Sequence, residues 1–198
     1  MLPDIHWHES SIHPQERFDR HGHRGLTIWL SGLSGSGKST IANAVCRQLF
    51  DDGMEAMVLD ADNIRHGLNS DLGFSNEDRS ENVRRLSEVS ALFASFGAIV
   101  LVTAISPFRA DRQRSRTIHE VHAIPFIEVY VATSVGECEK RDTKGLYART
   151  RAGEYKGLSG VDAPYEKPTD AEVVITTEER TVGECATVLL EAIRQKLS

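Results

Sequence analysis

The chain has 198 residues, 40% of them hydrophobic and 26% charged, with a formal net charge of −6. That length suits one well-buried domain, and the composition excludes a disordered chain and a membrane helix, because no apolar run approaches the ~20 residues a bilayer span needs. The acidic balance argues against a nucleic-acid partner, which normally demands a basic patch, so any anionic ligand must be met by a local cluster of cations.

Met1 to Ser11 lacks the basic start and apolar centre of a secretory signal, and a cytoplasmic location is expected. Cys46, Cys138 and Cys185 lie far apart and form no C-x-x-C pair, which fits reduced, buried thiols. Residues 1–24 hold five of the eight histidines without periodicity and read as a loosely ordered lead-in to a single domain over 25–198. No recurring ligand spacing supports a metal site there.

From Gly25 onward β and α patterns alternate. Leu26 to Leu30 reads as a buried strand and Ser39 to Leu49 as a helix with Ile41, Val45 and Leu49 inward. Ala56 to Leu59 is a second strand. Ser75 to Asp78 resembles a capping box opening a helix to about Phe96, with Val83, Leu86, Val89, Ser90 and Phe93 on its core face. Ala98 to Ile105 is the most apolar run and reads as a central strand, followed by a helix from about Arg109 to His119. Phe126 to Val131 and Glu172 to Ile175 are the remaining strands; Val135 to Arg141 and Thr181 to Leu197 are the remaining helices. The pattern predicts a three-layer α/β/α fold with a five-stranded, mainly parallel sheet, whose ligands sit beyond the carboxyl ends of the strands.

Three segments converge on that edge. Gly32, Leu33, Ser34, Gly35, Ser36, Gly37, Lys38, Ser39 and Thr40 contain the G-x-x-x-x-G-K-[ST] phosphate-binding pattern. Its amides can wrap the ATP phosphates, Lys38 can reach the β- and γ-phosphates, and the Ser39 hydroxyl can ligate Mg²⁺. Asp60 and Asp62 follow the second strand. Asp60 is placed to hold the metal or act as base, and Asp62 to cap the next helix or face the acceptor. Ile105 and Ser106 follow the central strand. Arg65, Arg79 and Asn82 form either an anion cradle or a solvated face, while Arg84 and Arg85 read as surface. The polar, Gly-rich stretch of about 142–165, with Lys144, Arg149, Arg151 and Lys156, reads as a lid or an exposed loop.

Taken together, the phosphate loop with Leu59 to Leu68, Asp71 to Ser75, Glu81 to Arg85, Ile105 to Arg109, Lys144 to Tyr147 and Asp162 to Glu166 closely resembles the adenylyl-sulfate kinases, P-loop kinases, from about Trp7 to the C-terminus. The resemblance implies a cytoplasmic homodimer of sulfate assimilation that uses MgATP to phosphorylate the ribose 3′-hydroxyl of adenosine 5′-phosphosulfate (APS), giving PAPS and ADP. It implies catalytic roles for Lys38, Asp60 and Ser106, metal contacts at Ser39 and Asp60, and substrate contacts at Asp62, Arg65, Phe74, Arg79, Asn82, Ile105, Ser106, Lys144 and Leu158. No membrane or nucleic-acid partner is expected. Ser106 matches the serine described in the family as a phosphoserine intermediate, although in-line transfer to a bound hydroxyl needs only positioning and charge neutralisation.

Two positions depart from the family pattern. Leu158 stands where phenylalanine is usual, so the adenine is expected between Phe74 and an aliphatic side chain, and Leu158→Phe is expected to tighten APS binding. Ala61 replaces the usual glycine between the aspartates. Rival readings are a nucleoside or sugar kinase, since the phosphate loop does not fix the acceptor, and a non-catalytic nucleotide sensor of the kind fused to sulfurylases.

Overall fold

The computed structural model describes His6 and residues 8–197; the parts of the expected lead-in at residues 1–5 and 7, and the start of the resemblance at Trp7, lie outside them. Five strands, β1 (Leu26–Ser31), β2 (Ala56–Asp60), β3 (Ile99–Thr103), β4 (Phe126–Val131) and β5 (Val173–Ile175), form one sheet in the order β2-β3-β1-β4-β5. Every pairing is parallel, so the expected mainly parallel sheet is wholly so. The helices are α1 (Pro14–His21), α2 (Lys38–Asp51), α3 (Asn76–Phe96), α4 (Arg109–Val121), α5 (Val135–Arg141), α6 (Leu146–Arg151) and α7 (Val182–Leu197), with a one-turn 3₁₀ helix at Asn63–His66.

The strand period of two divides β1 between two cores. Leu26, Ile28 and Leu30 join Ile41, Val45 and Leu49 of α2 and Leu189 and Ile193 of α7 on one face. Trp29 joins Val83, Leu86 and Ala94 of α3 with Val100 and Val102 of β3 on the other. Both faces of β1 are therefore sealed. At its entry, a Cβ on Gly25 would lie 1.8 Å from the Ala94 carbonyl oxygen, so only glycine lets the chain pass the end of α3. A third, smaller cluster packs Tyr147 and Leu158 of the 142–165 stretch against Leu33 and Cys138. Cys138 and Cys185 are buried and Cys46 partly so, all as free thiols. Among the described residues no helix is long and apolar enough to cross a membrane.

Several local expectations differ. Residues 14–21 are helical: Pro14 fits the first helical position, the His13 ring accepts the Gln15 amide, and Glu16 accepts the His13 amide at 2.8 Å. Phe93 is 43% exposed, because the buried stripe of α3 runs through Val83, Leu86, Ser90 and Ala94. The stretch of about 142–165, read as a lid or an exposed loop, is not a plain loop. It contains α6, whose start is set by the Asp142 carboxylate accepting the amides of Tyr147 and Ala148.

Candidate active site

Beyond the carboxyl ends of β1, β2 and β3 opens a crevice of about 430 Å³, the size range of small-molecule sites. The loop leaving β1 forms its floor. Gly32 has φ +150°, and a Cβ there would stand 2.7 Å from the Val131 carbonyl oxygen; Gly37, at φ +102°, starts α2 in a left-handed conformation. Lys38 is almost buried and folds back over the loop, its Nζ donating to the carbonyls of Gly32 at 2.9 Å and Leu33 at 2.7 Å. Burial lowers its pKa from 10.5 to about 8. Ser34, Gly35, Gly37, Lys38, Ser39 and Thr40 line the crevice, whereas Gly32, Leu33 and Ser36 stand behind it as support.

Asp60 ends β2 against the loop. Its Oδ2 accepts from the Ser39 hydroxyl at 2.7 Å and from Thr103 at 2.6 Å, and its Oδ1 accepts the amides of Asp62 at 2.9 Å and Asn63 at 3.3 Å. Burial pushes this carboxyl up, but the hydrogen bonds outweigh it and hold its pKa below the ordinary value. A hydroxyl and an ionised carboxylate in contact at the mouth of a phosphate loop are hard oxygen donors of the kind Mg²⁺ takes.

These bonds correct the reading of Asp62 as a helix cap. Asp60 holds the first amides of the 3₁₀ turn, and Asp62 makes no side-chain cap bond. The Asp62 carboxylate instead reaches across the crevice to the Lys144 ammonium of the lid.

The remaining sequence-derived residues gather on the same side. Arg65 donates to the carbonyls of Leu72 and Gly73, and Arg79 to those of Phe74 and Gly157, so among the described residues their hydrogen bonds go to main-chain oxygens and none to a carboxylate. Both guanidinium carbons lie beside the half-exposed Phe74 ring, at 4.6 and 5.7 Å from its centroid. Burial and the neighbouring Arg79 charge outweigh Asp62 and lower the Arg65 pKa. Two cations close together without a bonded carboxylate are suited to an anion rather than to a solvated face. Arg84 and Arg85, by contrast, are tied to Glu81, and Arg85 also to Asp71. Asn82 is buried and accepts from Asn69 at 2.9 Å.

Ser106 is 2% exposed at φ +47°, its hydroxyl accepting the Trp29 indole N–H at 3.0 Å. Leu158 does not reach the crevice. Asp162 accepts the amides of Gly157 and Leu158, and the turn so formed points Leu158 into the cluster with Leu33, Cys138 and Tyr147, where it is 2% exposed. In this structure Leu158 packs away from the crevice, whereas the sequence position suggests a contact with an adenine.

Sequence reasoning missed the opposite wall. Beyond Thr143, which belongs to the stretch read as a lid, Arg141, Thr177 and Arg180 also line the crevice. Arg141 donates to the Thr177 hydroxyl at 2.8 Å, and Thr177 donates to the Ser36 carbonyl at 3.2 Å, which fastens the segment after β5 to the phosphate loop. The run Thr176-Thr177-Glu178-Glu179-Arg180, polar and placed after a strand, was the available signal.

The family model described as adenylylsulphate kinase matches residues 24–176. A probable adenylyl-sulfate kinase of Bacillus subtilis is 51% identical over 195 residues, covering 98% of each chain. An adenylyl-sulfate kinase of Staphylococcus carnosus is 48% identical, over 98% of this chain and 96% of its own. The structure of a Mycobacterium tuberculosis APS kinase in complex with AMPPNP and APS superposes with a TM-score of 0.85 at 48% identity, over 87% of this chain and 99% of that one. A chain of the hexameric APS kinase from Thiobacillus denitrificans is 28% identical with a TM-score of 0.68, over 91% of this chain and 31% of that one.

Proposed function

The chain belongs to the adenylylsulphate kinase family, and from that membership we infer an ATP-dependent phosphotransferase that phosphorylates the ribose 3′-hydroxyl of APS to give PAPS and ADP. The observation that carries this reading is the convergence on one crevice of a complete phosphate loop and a separate cluster of Asp62, Arg65, Phe74, Arg79 and Ser106. The first half suits a nucleoside triphosphate. The second half suits an acceptor carrying both an anion and an aromatic base.

We propose roles for each part. Loop amides and Lys38 hold the transferring phosphate, and Lys38 exchanges its carbonyl partners for phosphate oxygens. Ser39 and Asp60 would hold Mg²⁺, which supplies charge neutralisation when bound. Because its pKa is lowered, Asp60 serves better as an organiser of that site than as a base. Arg65 and Arg79 take the phosphosulfate, Phe74 offers a face to the adenine, and Asn82, Ile105 and Ser106 shape the ribose side. Asp62, once Lys144 leaves it, faces the acceptor hydroxyl; Lys144 then turns to the transferring group as the lid closes. Arg141, Thr177 and Arg180 form the donor-nucleotide wall.

A cytoplasmic homodimer completes the proposal. Exposed apolar side chains at Leu92, Phe93 and Phe96 on α3 support self-association, which light scattering can size, with a hexamer as the alternative outcome. The activity is tested by coupled ADP release with APS, adenosine, AMP and simple sugars as acceptors. Release with APS alone supports the reading; release only with another acceptor, or with none, retires it.

A further inference from the structure

Behind the acceptor loop lies a buried guanidinium that takes no part in lining the crevice. Arg112, in the first turn of α4, is 2% exposed. Its nitrogens reach three separate segments: Nε donates to Glu128 Oε1 of β4 at 2.9 Å, Nη1 to the Ser106 carbonyl at 2.8 Å, and Nη2 to the Glu166 carbonyl at 2.8 Å. Only the planar fork of arginine presents donors in these fixed directions; a lysine ammonium is a single point.

Each tie acts on something the reaction needs. Ser106 holds a left-handed backbone at φ +47°, a conformation that persists in a non-glycine residue only when its surroundings over-determine it. Arg112 fixes its carbonyl while Trp29 fixes its hydroxyl. Glu166 is the return end of the lid. Its amide donates to the Pro107 carbonyl, its carboxylate accepts the Arg109 amide at the start of α4, and its carbonyl accepts from Arg112. Glu128 anchors the guanidinium to the sheet, and Glu172 in turn accepts the Glu128 amide and pairs with Arg116.

We propose that Arg112 is a positioning residue for phosphoryl transfer, fixing the acceptor loop at Ser106 and the return end of the lid at Glu166 to one point on β4, so that acceptor site and lid are built as a unit. The inference rests on the phosphotransfer reading above. It separates the two halves of the crevice: losing Arg112 impairs the acceptor half and spares the donor half, whose loop it does not touch.

The test uses full-length protein carrying Trp7→Phe, which leaves Trp29 as the single tryptophan of the two. Arg112→Lys is expected to lower kcat/KM for APS by about 10- to 100-fold, the scale of a misplacement near 1 Å, while the Kd for ADP by calorimetry stays within about twofold. Trp29 emission is expected to shift as its Ser106 partner moves, and Glu128→Gln, which weakens the anchor of the guanidinium on β4, to show the same pattern with smaller amplitude. A folded Arg112→Lys with unaltered kcat/KM for APS overturns the inference, and so does a loss in which ADP affinity falls in parallel. If Arg112→Lys does not fold, Glu128→Gln, which weakens the one side-chain anchor of the guanidinium, decides by the same criteria. A parent protein without APS-dependent ADP release sinks the functional reading and this inference with it, whereas an active parent with indifferent variants sinks the inference alone.

Discussion

The Ser39 hydroxyl donates to the Asp60 carboxylate at 2.7 Å, joining the first turn of α2 to the end of β2. With Thr103 and two amides as further donors, Asp60 stays ionised through the neutral range. Asp60→Asn keeps the shape and removes the charge. It is expected to lower kcat by about 10²-fold, the cost of one transition-state electrostatic group, and to raise the Mg²⁺ concentration needed for half-maximal rate. Steady-state rates across a Mg²⁺ titration check both, and an unchanged Mg²⁺ requirement would remove Asp60 from the metal site.

Lys38 gives a dependence at alkaline pH. Burial brings its pKa in the nucleotide-free protein to about 8, and bound phosphates favour its charged form. Above that value binding must take up a proton, so ATP affinity is expected to fall by up to about tenfold per pH unit. Calorimetry at pH 8.5 in buffers of different ionisation enthalpy should detect the uptake. The stability sign is separate: between about 8 and 10.5 the unfolded chain binds more protons at this group, so the Lys38 contribution to stability rises with pH.

His119 sets an acid limit. It is fully buried between α3 and α4; with Nδ1–H donating to the Ser115 carbonyl at 2.7 Å, Nε2 is left to accept from Ser90 at 3.1 Å. Burial lowers its pKa from 6.5 to about 4. A depressed folded pKa gives stability that is present above 6.5 and lost as pH falls toward 4, amounting to about 3 kcal/mol. Urea midpoints at pH 7.5 and 4.5 should differ accordingly, and His119→Gln should flatten the difference.

Ser106→Ala distinguishes support from covalent catalysis. Loss of the hydroxyl leaves the buried Trp29 N–H without its acceptor, for which about 1–3 kcal/mol of stability is expected to be lost. Turnover is expected to persist at a reduced rate, with no phosphoprotein in intact-mass spectra after incubation with ATP alone. Complete loss of activity in a folded variant, together with a phosphoserine in the parent, would restore the covalent route.

Leu158→Phe now has the opposite expectation from the one its sequence position suggests. The site is packed by Leu33, Cys138 and Tyr147, so a larger ring overpacks it at about 1–3 kcal/mol. A lower melting temperature with no gain in APS affinity is expected; tighter APS binding at unchanged stability would place residue 158 back in the site.

The strands were legible because sheet residues sealed on both faces read as apolar runs: Phe126–Val131 has the same bounds in sequence and structure. The loop after β1 and the aspartates after β2 were legible because their chemistry is local. Arg65 and Arg79 were ambiguous, since a helix face says nothing about whether carboxylates lie opposite. Thr177 and Arg180 carried only the weak signal of a polar run after a strand, because only closure of the chain brings Thr177 to Ser36. The inward turn of Leu158 depends on the Asp162 carboxylate, a contact that hydrophobicity does not encode. The helix over residues 14–21 was hidden by its histidine cap, though Pro14 and Glu16 were visible.

The strand order β2-β3-β1-β4-β5 divides responsibility in a way that bears on how such an enzyme can diversify. From β1 comes the phosphate loop; Asp60 ends β2, and Asp62 and Ser106 follow β2 and β3 on one flank, while Arg141, Thr177 and Arg180 follow β4 and β5 on the other. Under the proposed roles, Arg65, Phe74 and Arg79 can change with the acceptor while the phosphate loop, Asp60 and the second flank keep their grip on the common fuel. A lineage with this layout can explore new acceptors without rebuilding the part that handles ATP.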